Sequence, residues 1–136
     1  MAVVEELLRA EAGGAISFGN HKLEEKAKLE DFENGGDLLK VKTYKTMTKL
    51  EKNGMFVYES VPGTSVTDFV ETAQGIEFNV EGDEDAQITV GLEEETEYEV
   101  IIDGESIGKM TTNLGGKLNI SVELAGTEEV RVKVVK

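Results

Sequence analysis

The stretch EYEVIIDGESIGKMTTNLGGKLNISVEL, Glu97 to Leu124, alternates apolar and polar residues on both sides of two turns that contain glycine. Alternation with a period of two places successive side chains on opposite faces of a β-strand. The turns are Asp103-Gly104 and the segment from Asn113 to Gly116, and Asp-Gly readily adopts the positive φ angles of a tight hairpin turn. The stretch therefore predicts consecutive antiparallel β-hairpins.

The same period of two extends over most of the chain. The segment LEKNGMFVYES is a further hairpin whose turn is Asn53-Gly54. We predict strands at residues 15–18, 38–44, on both sides of Asn53-Gly54, and at 66–71, 76–81, 88–91, 98–102, 106–112, 118–124 and 130–135. Short strands, frequent turns and a single proline are typical of all-β proteins. We predict an all-β fold, either a β-sandwich or two packed small antiparallel sheets.

The N-terminal segment has a different period. In AVVEELLRAE, residues 2–11, the residues Val3, Val4, Leu7 and Leu8 share one stripe of a helix, and Gly13-Gly14 would end it. We therefore expect one short N-terminal α-helix. Such a short helix is unstable alone, so its stripe must either plug this chain's own core or dock on another subunit.

The chain length of 136 residues fits one ordinary domain. The segment VPGT, residues 61–64, contains the sole proline and is the best candidate for a joint. We divide the chain there into residues 1–60, a helix with a small β sub-region, and residues 61–136, an immunoglobulin-like sandwich region. We expect the two parts to form one compact unit.

Charge is the clearest global signal, because 28 acids against 14 bases give a net charge of −14. Residues 61–108 contain 14 of the acids and no base. A field of that sign repels phosphate backbones and anionic headgroups, so we expect neither nucleic acid nor membrane surfaces as partners.

The sequence has no cysteine and its first residues lack a signal-peptide pattern, which favours a cytoplasmic location, with a cell-surface role left open.

The segment from Gly104 to Gly108 spells the G-x-S-x-G motif of serine hydrolases. That motif requires a helix after the serine and a histidine brought to it, whereas Ser106 is followed by a strand pattern. His21 is the single histidine and stands in a polar segment, where we expect a surface loop residue. We therefore interpret the motif as a hairpin turn and predict no enzyme of this class.

Acidic residues are the most numerous side chains of this chain that could bind a metal ion or act in catalysis. Glu81, Asp83 and Asp85 surround a glycine turn, and calcium prefers carboxylate and carbonyl oxygens that converge at such a turn. They are candidate calcium ligands, with a solvated turn as the alternative.

The acids of residues 81–97 could also supply the paired carboxylates of a glycosidase. Against this, the chain has no tryptophan and few other aromatic residues on which a sugar could stack.

GLEEETEYEV, Gly91 to Val100, resembles the corner of fibronectin type III and related bacterial immunoglobulin-like β-sandwich modules, whose pattern is roughly G-L-x-P-x-T-x-Y-x-V. The residues that fall in matching places are Leu92, Thr96, Tyr98 and Val100. Glu94 stands where those families usually have proline. The resemblance covers residues 91–135. It implies that the Tyr98 hydroxyl bonds back to the nearby backbone and has a structural role.

These patterns favour a non-enzymatic structural or protein-interaction module that self-associates as a homo-oligomer, with itself or another protein as partner. One alternative is a carbohydrate-active enzyme or a carbohydrate-binding accessory module, for which carbohydrate would be the ligand. Another is a calcium-dependent assembly module that uses Asp83 and Asp85. The candidate self-association residues are Val3, Val4, Leu7 and Leu8.

Overall fold

The computed structural model describes residues 3–136, and this part of the chain forms thirteen β-strands and one 3₁₀ turn at Ala12–Gly14. The strands are β1 (Leu8–Ala10), β2 (Ile16–Phe18), β3 (Ala27–Asn34), β4 (Asp37–Tyr44), β5 (Met47–Lys52), β6 (Met55–Val61), β7 (Ser65–Thr72), β8 (Gly75–Glu81), β9 (Ala86–Gly91), β10 (Glu97–Ile102), β11 (Glu105–Thr111), β12 (Lys117–Val122) and β13 (Val130–Val135).

The strands form two antiparallel sheets. The first sheet has seven strands in the order β1-β2-β7-β8-β13-β10-β11, and the second has six in the order β12-β9-β6-β5-β4-β3. Every residue pairing between neighbouring strands is antiparallel. The all-β prediction with two antiparallel sheets is confirmed.

The buried side chains of the two sheets form one continuous core. On β12, Leu118, Ile120 and Val122 are buried and the residues between them are exposed, as alternation requires. Four aromatic rings pack at the centre of the core, with centroids 5.2 to 6.5 Å apart: Phe18, Tyr58, Phe69 and Phe78. Burial of these apolar surfaces is the main term that holds the sheets together.

Strand pairs cross the joint that the sequence suggested at residues 61–64. In the first sheet β2 pairs with β7, and in the second sheet β6 pairs with β9. Each sheet therefore draws strands from both sides of the joint, and the described residues form one sandwich.

The prediction of a short N-terminal α-helix is wrong. Ala2 lies outside the described residues, and Leu8 lies in β1, which pairs with β2 from Leu8↔Phe18 to Ala10↔Ile16. Val4 and Leu8 are buried in this chain's own core, so they cannot serve as a contact surface for another subunit. A ten-residue helix is marginal in water, whereas the open edge of β2 offers this segment backbone hydrogen bonds and a place for the same apolar side chains.

β3 was not predicted, because a β-bulge interrupts its alternation. Leu29 lies opposite Val41 and Phe32 opposite Leu39, so three residues of β3 correspond to two of β4. Asp31, inside the bulge, has a φ of 56°. The apolar side chains of β3 are therefore separated by three positions, and a search for a period of two does not find them.

Candidate functional site

β11 is the last strand of the first sheet, and among the described residues only β10 pairs with it. All seven of its residues are exposed, so both of its faces are open to solvent. Two of them are large apolar residues, Ile107 with 54% of its surface exposed and Met110 with 36%. An edge strand with unpaired backbone groups and exposed apolar side chains is a site at which another chain can pair or pack.

The geometry of β11 favours contact through its side chains. Val100 lies opposite Gly108 and Ile101 opposite Ser106, so Ile107 is the extra residue of a β-bulge. Gly108 has a φ of +117°, in a region that other residues rarely adopt. A bulge interrupts the row of backbone groups along an edge. Met110 lies opposite the buried Tyr98 and therefore shares the core-facing side of the first sheet.

β11 has no net charge, although the chain as a whole is acidic. β11 carries one acid, Glu105, and one base, Lys109, which cancel. Lys109 also lies 4.0 Å from Glu97 of β10. An exposed pair at this distance contributes little to folding, but the nearby lysine reduces the negative potential at this edge.

The G-x-S-x-G segment is a hairpin turn. Asp103 and Gly104 have φ angles of 50° and 82°, the two positive values of a type I′ turn, and they join β10 to β11. Ser106 lies in the exposed strand that follows, not at the start of a helix. The ring of His21 contacts Ser65 and Asp83 instead.

His21 is buried, so the expectation of a surface loop residue is wrong. Its side chain is 1% exposed, and Nδ1 lies 2.7 Å from Ser65 Oγ. The other ring nitrogen, Nε2, has no hydrogen-bond partner and lies 3.7 Å from Asp83 Oδ1. Burial is the main cause that lowers the pKa of His21, and the charges of Asp83 and Glu81 oppose it. Ser65 is itself buried, so this Ser-His-Asp arrangement is closed to a substrate.

The three candidate calcium ligands are engaged separately. Asp83 Oδ1 accepts a hydrogen bond from Lys22 Nζ at 2.6 Å, which lowers the pKa of this carboxyl group. Asp85 Oδ1 accepts hydrogen bonds from the backbone N–H groups of Leu124 and Ala125, both at 3.0 Å, and Glu81 is buried. Within residues 3–136 no group of three acids and histidines is arranged to hold a metal ion. The structure therefore does not bring these ligands together.

A cleft of about 540 Å³ opens between the sheets beside the β5–β6 and β7–β8 turns. Two ion pairs connect the sheets around it, Lys52 with Glu71 at 2.6 Å and Lys136 with Glu93. A glycosidase would require two carboxylates that converge, one with a raised pKa. Both carboxylates that line this cleft are paired with lysines. The acids whose pKa departs clearly from its ordinary value, Glu11, Glu30 and Asp83, are all shifted downwards.

The Tyr98 hydroxyl bonds back to the loop that precedes its own strand. Its side chain is buried, and its hydroxyl oxygen accepts a hydrogen bond from the backbone N–H of Glu93 at 3.2 Å. Three strands, β11, β12 and β13, follow the strand that contains it. This contact ties the loop after β9 to β10 and is structural.

The comparisons with known proteins found no matching family model, no matching curated protein and no matching solved structure. In residues 3–136 no helix has the length and apolar character that are needed to span a bilayer.

Sequence reasoning missed the buried polar cluster around His21, although part of its signal is present. Thr43, Thr48 and Ser60 occupy the same strand faces as the buried Val41, Leu50 and Tyr58. Hydroxyl residues at core-facing positions indicate a buried hydrogen-bond network. For His21 itself the local sequence has no such signal, because it lies outside the strands.

Proposed function

We propose that this chain is a non-enzymatic interaction module that self-associates through β11, with Ile107 and Met110 as the contact residues. The observation that carries the proposal is the exposure of the whole strand at the edge of a sheet. Complete burial of a fully exposed apolar side chain of this size contributes about 1.5–3 kcal/mol, and Ile107 and Met110 have 54% and 36% of their surface left to bury. Two such side chains from each copy would supply a weak but specific interface.

Charge supports a second copy as the partner at this edge. Two molecules of net charge −14 repel each other, and the repulsion is reduced at a strand whose own charges cancel, as those of Glu105 and Lys109 do. The bulge at Ile107 limits an extended backbone ladder between copies. Self-association would therefore end at a small oligomer and not continue as a fibre.

Molar mass from light scattering across protein concentrations tests this proposal. We expect a concentration-dependent oligomer that strengthens at higher salt, because salt screens the repulsion between acidic copies. The double substitution Ile107→Glu with Met110→Glu should weaken association by about tenfold or more, because it removes the apolar contact and adds negative charge.

The matched control is Met55→Glu, which places the same charge on a residue that is 72% exposed and distant in sequence from β11. It should leave the oligomer unchanged. A wild-type protein that stays monomeric at every concentration and salt would refute self-association. An oligomer that resists the β11 double substitution would refute β11 as its site.

A further inference from the structure

The loop between β2 and β3 joins the two sheets at one end of the sandwich. Residues 19–24, the latch loop, follow Phe18 of the first sheet and lead into β3 of the second. The backbone N–H of Asn20 donates to Thr43 Oγ1 of β4 at 2.9 Å, and the backbone N–H of His21 donates to Ser65 Oγ of β7 at 3.3 Å. Lys45 N–H donates to the Leu23 carbonyl at 2.8 Å. The latch loop is therefore bonded to both sheets.

His21 is the buried centre of the latch loop. Ser65 Oγ, 2.7 Å from Nδ1, satisfies one ring nitrogen, and Nε2 is buried without a partner. In the neutral ring one nitrogen carries a proton and the other does not, whereas the protonated ring must place two N–H donors and a charge in this site. A buried N–H donor without an acceptor and a buried charge both carry a large free-energy cost.

Three charged groups face the ring from the elements around it. Asp83, in the turn after β8, lies 3.7 Å from Nε2, and Glu81 at the end of β8 also favours the protonated ring. Lys22, in the latch loop itself, opposes protonation and holds Asp83 Oδ1 at 2.6 Å. Lys22 therefore neutralises part of the attraction between Asp83 and the ring. Burial remains the largest influence on the pKa of His21 and lowers it.

We propose that the latch loop is an acid-sensitive latch, closed while His21 is neutral and released when its ring takes up a proton. This inference is independent of the self-association through β11. Its direction follows from linkage. Above the unfolded-state pKa of 6.5 both the closed and the open forms hold a neutral ring, and pH has no effect through this group. Below pH 6.5 the ring of the open form binds a proton that the ring of the closed form does not bind. The free energy that favours the closed form therefore decreases as the pH falls towards the lower pKa of the closed form.

Asp83 and Glu11 act in a lower pH range than His21. The pKa of Asp83 is lowered from 3.8 and that of Glu11 from 4.5, so the stability that these groups contribute is lost only as the pH falls below those ordinary values. Because the chain has one histidine, the signal of its imidazole ring between about pH 5 and pH 7 identifies the titration of His21.

Amide hydrogen exchange of the full chain, measured by NMR between about pH 7.5 and pH 5 and corrected for the intrinsic pH dependence of exchange, tests the latch. The opening constants of the Asn20, His21 and Lys45 amides should rise by about tenfold for each pH unit between 6.5 and the lower ring pKa. The amide of Ile120, in the centre of the β9–β12 pair, should change less. His21→Gln, which cannot be protonated, should abolish the rise.

The titration of the single ring, followed through its own NMR signal, tests the proposal without any variant. A midpoint below 6.5 is expected, and Asp83→Asn should lower it further because the substitution removes a charge that favours the protonated ring. A midpoint at or above 6.5 would overturn the latch, since it would show that the closed loop accepts the proton. So would opening constants that rise equally in the His21→Gln variant.

Discussion

At the scale of single residues, Thr64 shows how this sandwich accommodates polar groups in its core. Its Oγ1 lies 2.7 Å from both the Tyr58 hydroxyl and Ser60 Oγ. Its backbone carbonyl and N–H bond Thr48 Oγ1 at 2.7 and 3.1 Å. All four residues are fully buried, so every hydroxyl of the network depends on the others for its partners.

The substitution Thr64→Val keeps the shape of the side chain and removes the oxygen that Tyr58 and Ser60 share. We expect a loss of about 2 kcal/mol in the free energy of unfolding, because buried hydroxyl groups are left without partners. Urea unfolding followed by circular dichroism measures it. The control Thr89→Val removes a hydroxyl whose hydrogen bond with Asn119 is exposed to solvent, and it should change stability by less than about 0.5 kcal/mol. Equal effects of the two substitutions would contradict the buried network.

At the scale of elements, the hairpin turns decide which strands become neighbours. Asn53-Gly54 and Asp103-Gly104 both have two positive φ angles and join strands that pair directly. Type I′ turns match the twist of the strands they connect, so the turn residues set the register of the pairs next to the turn, up to the β-bulge that each hairpin contains. This local control explains why most strands of the chain are readable from the sequence.

The turn interpretation of the G-x-S-x-G segment makes a prediction about its residues. Gly104→Ala should cost about 1 kcal/mol of unfolding free energy, because alanine disfavours a φ of 82°. Gly54→Ala, at a φ of 78°, should cost a similar amount. Ser106→Ala should alter neither stability nor labelling by a fluorophosphonate probe, because the wild type should not react with it. Stoichiometric labelling of Ser106 would contradict the turn interpretation.

At the scale of the whole molecule, the excess of acid shapes how the protein responds to its solvent. Most of the ion pairs among residues 3–136 join two exposed side chains and contribute little each. The net charge of −14, in contrast, gives a repulsion that acts at every distance within the screening length. Added salt should therefore raise the free energy of unfolding, in contrast to a protein that depends on surface ion pairs.

Unfolding by urea in NaCl, MgCl₂ and CaCl₂ at equal ionic strength separates this general effect from a calcium site. We expect the midpoint to rise with ionic strength and to be the same in calcium and magnesium, because Asp83 and Asp85 already bind Lys22 and backbone N–H groups. A site that binds calcium in the folded state would raise the midpoint in calcium alone, by mass action. That result would restore the calcium-dependent assembly hypothesis.

The strands and turns that depend on neighbours along the chain can be predicted from local sequence alone. Alternation from Glu97 to Leu124 and the Asn-Gly and Asp-Gly turns are local properties, and the structure places strands and hairpins where they predicted them.

The remaining features of the fold depend on contacts between distant segments. The stripe of Val4 and Leu8 fits a helix as well as a core-covering segment, and only the open edge of β2 selects the strand. His21 is buried because residues 44 and 62 positions away, Ser65 and Asp83, close over it, and β11 is exposed because the second sheet does not cover it. These outcomes depend on contacts between distant segments, which a local pattern does not contain.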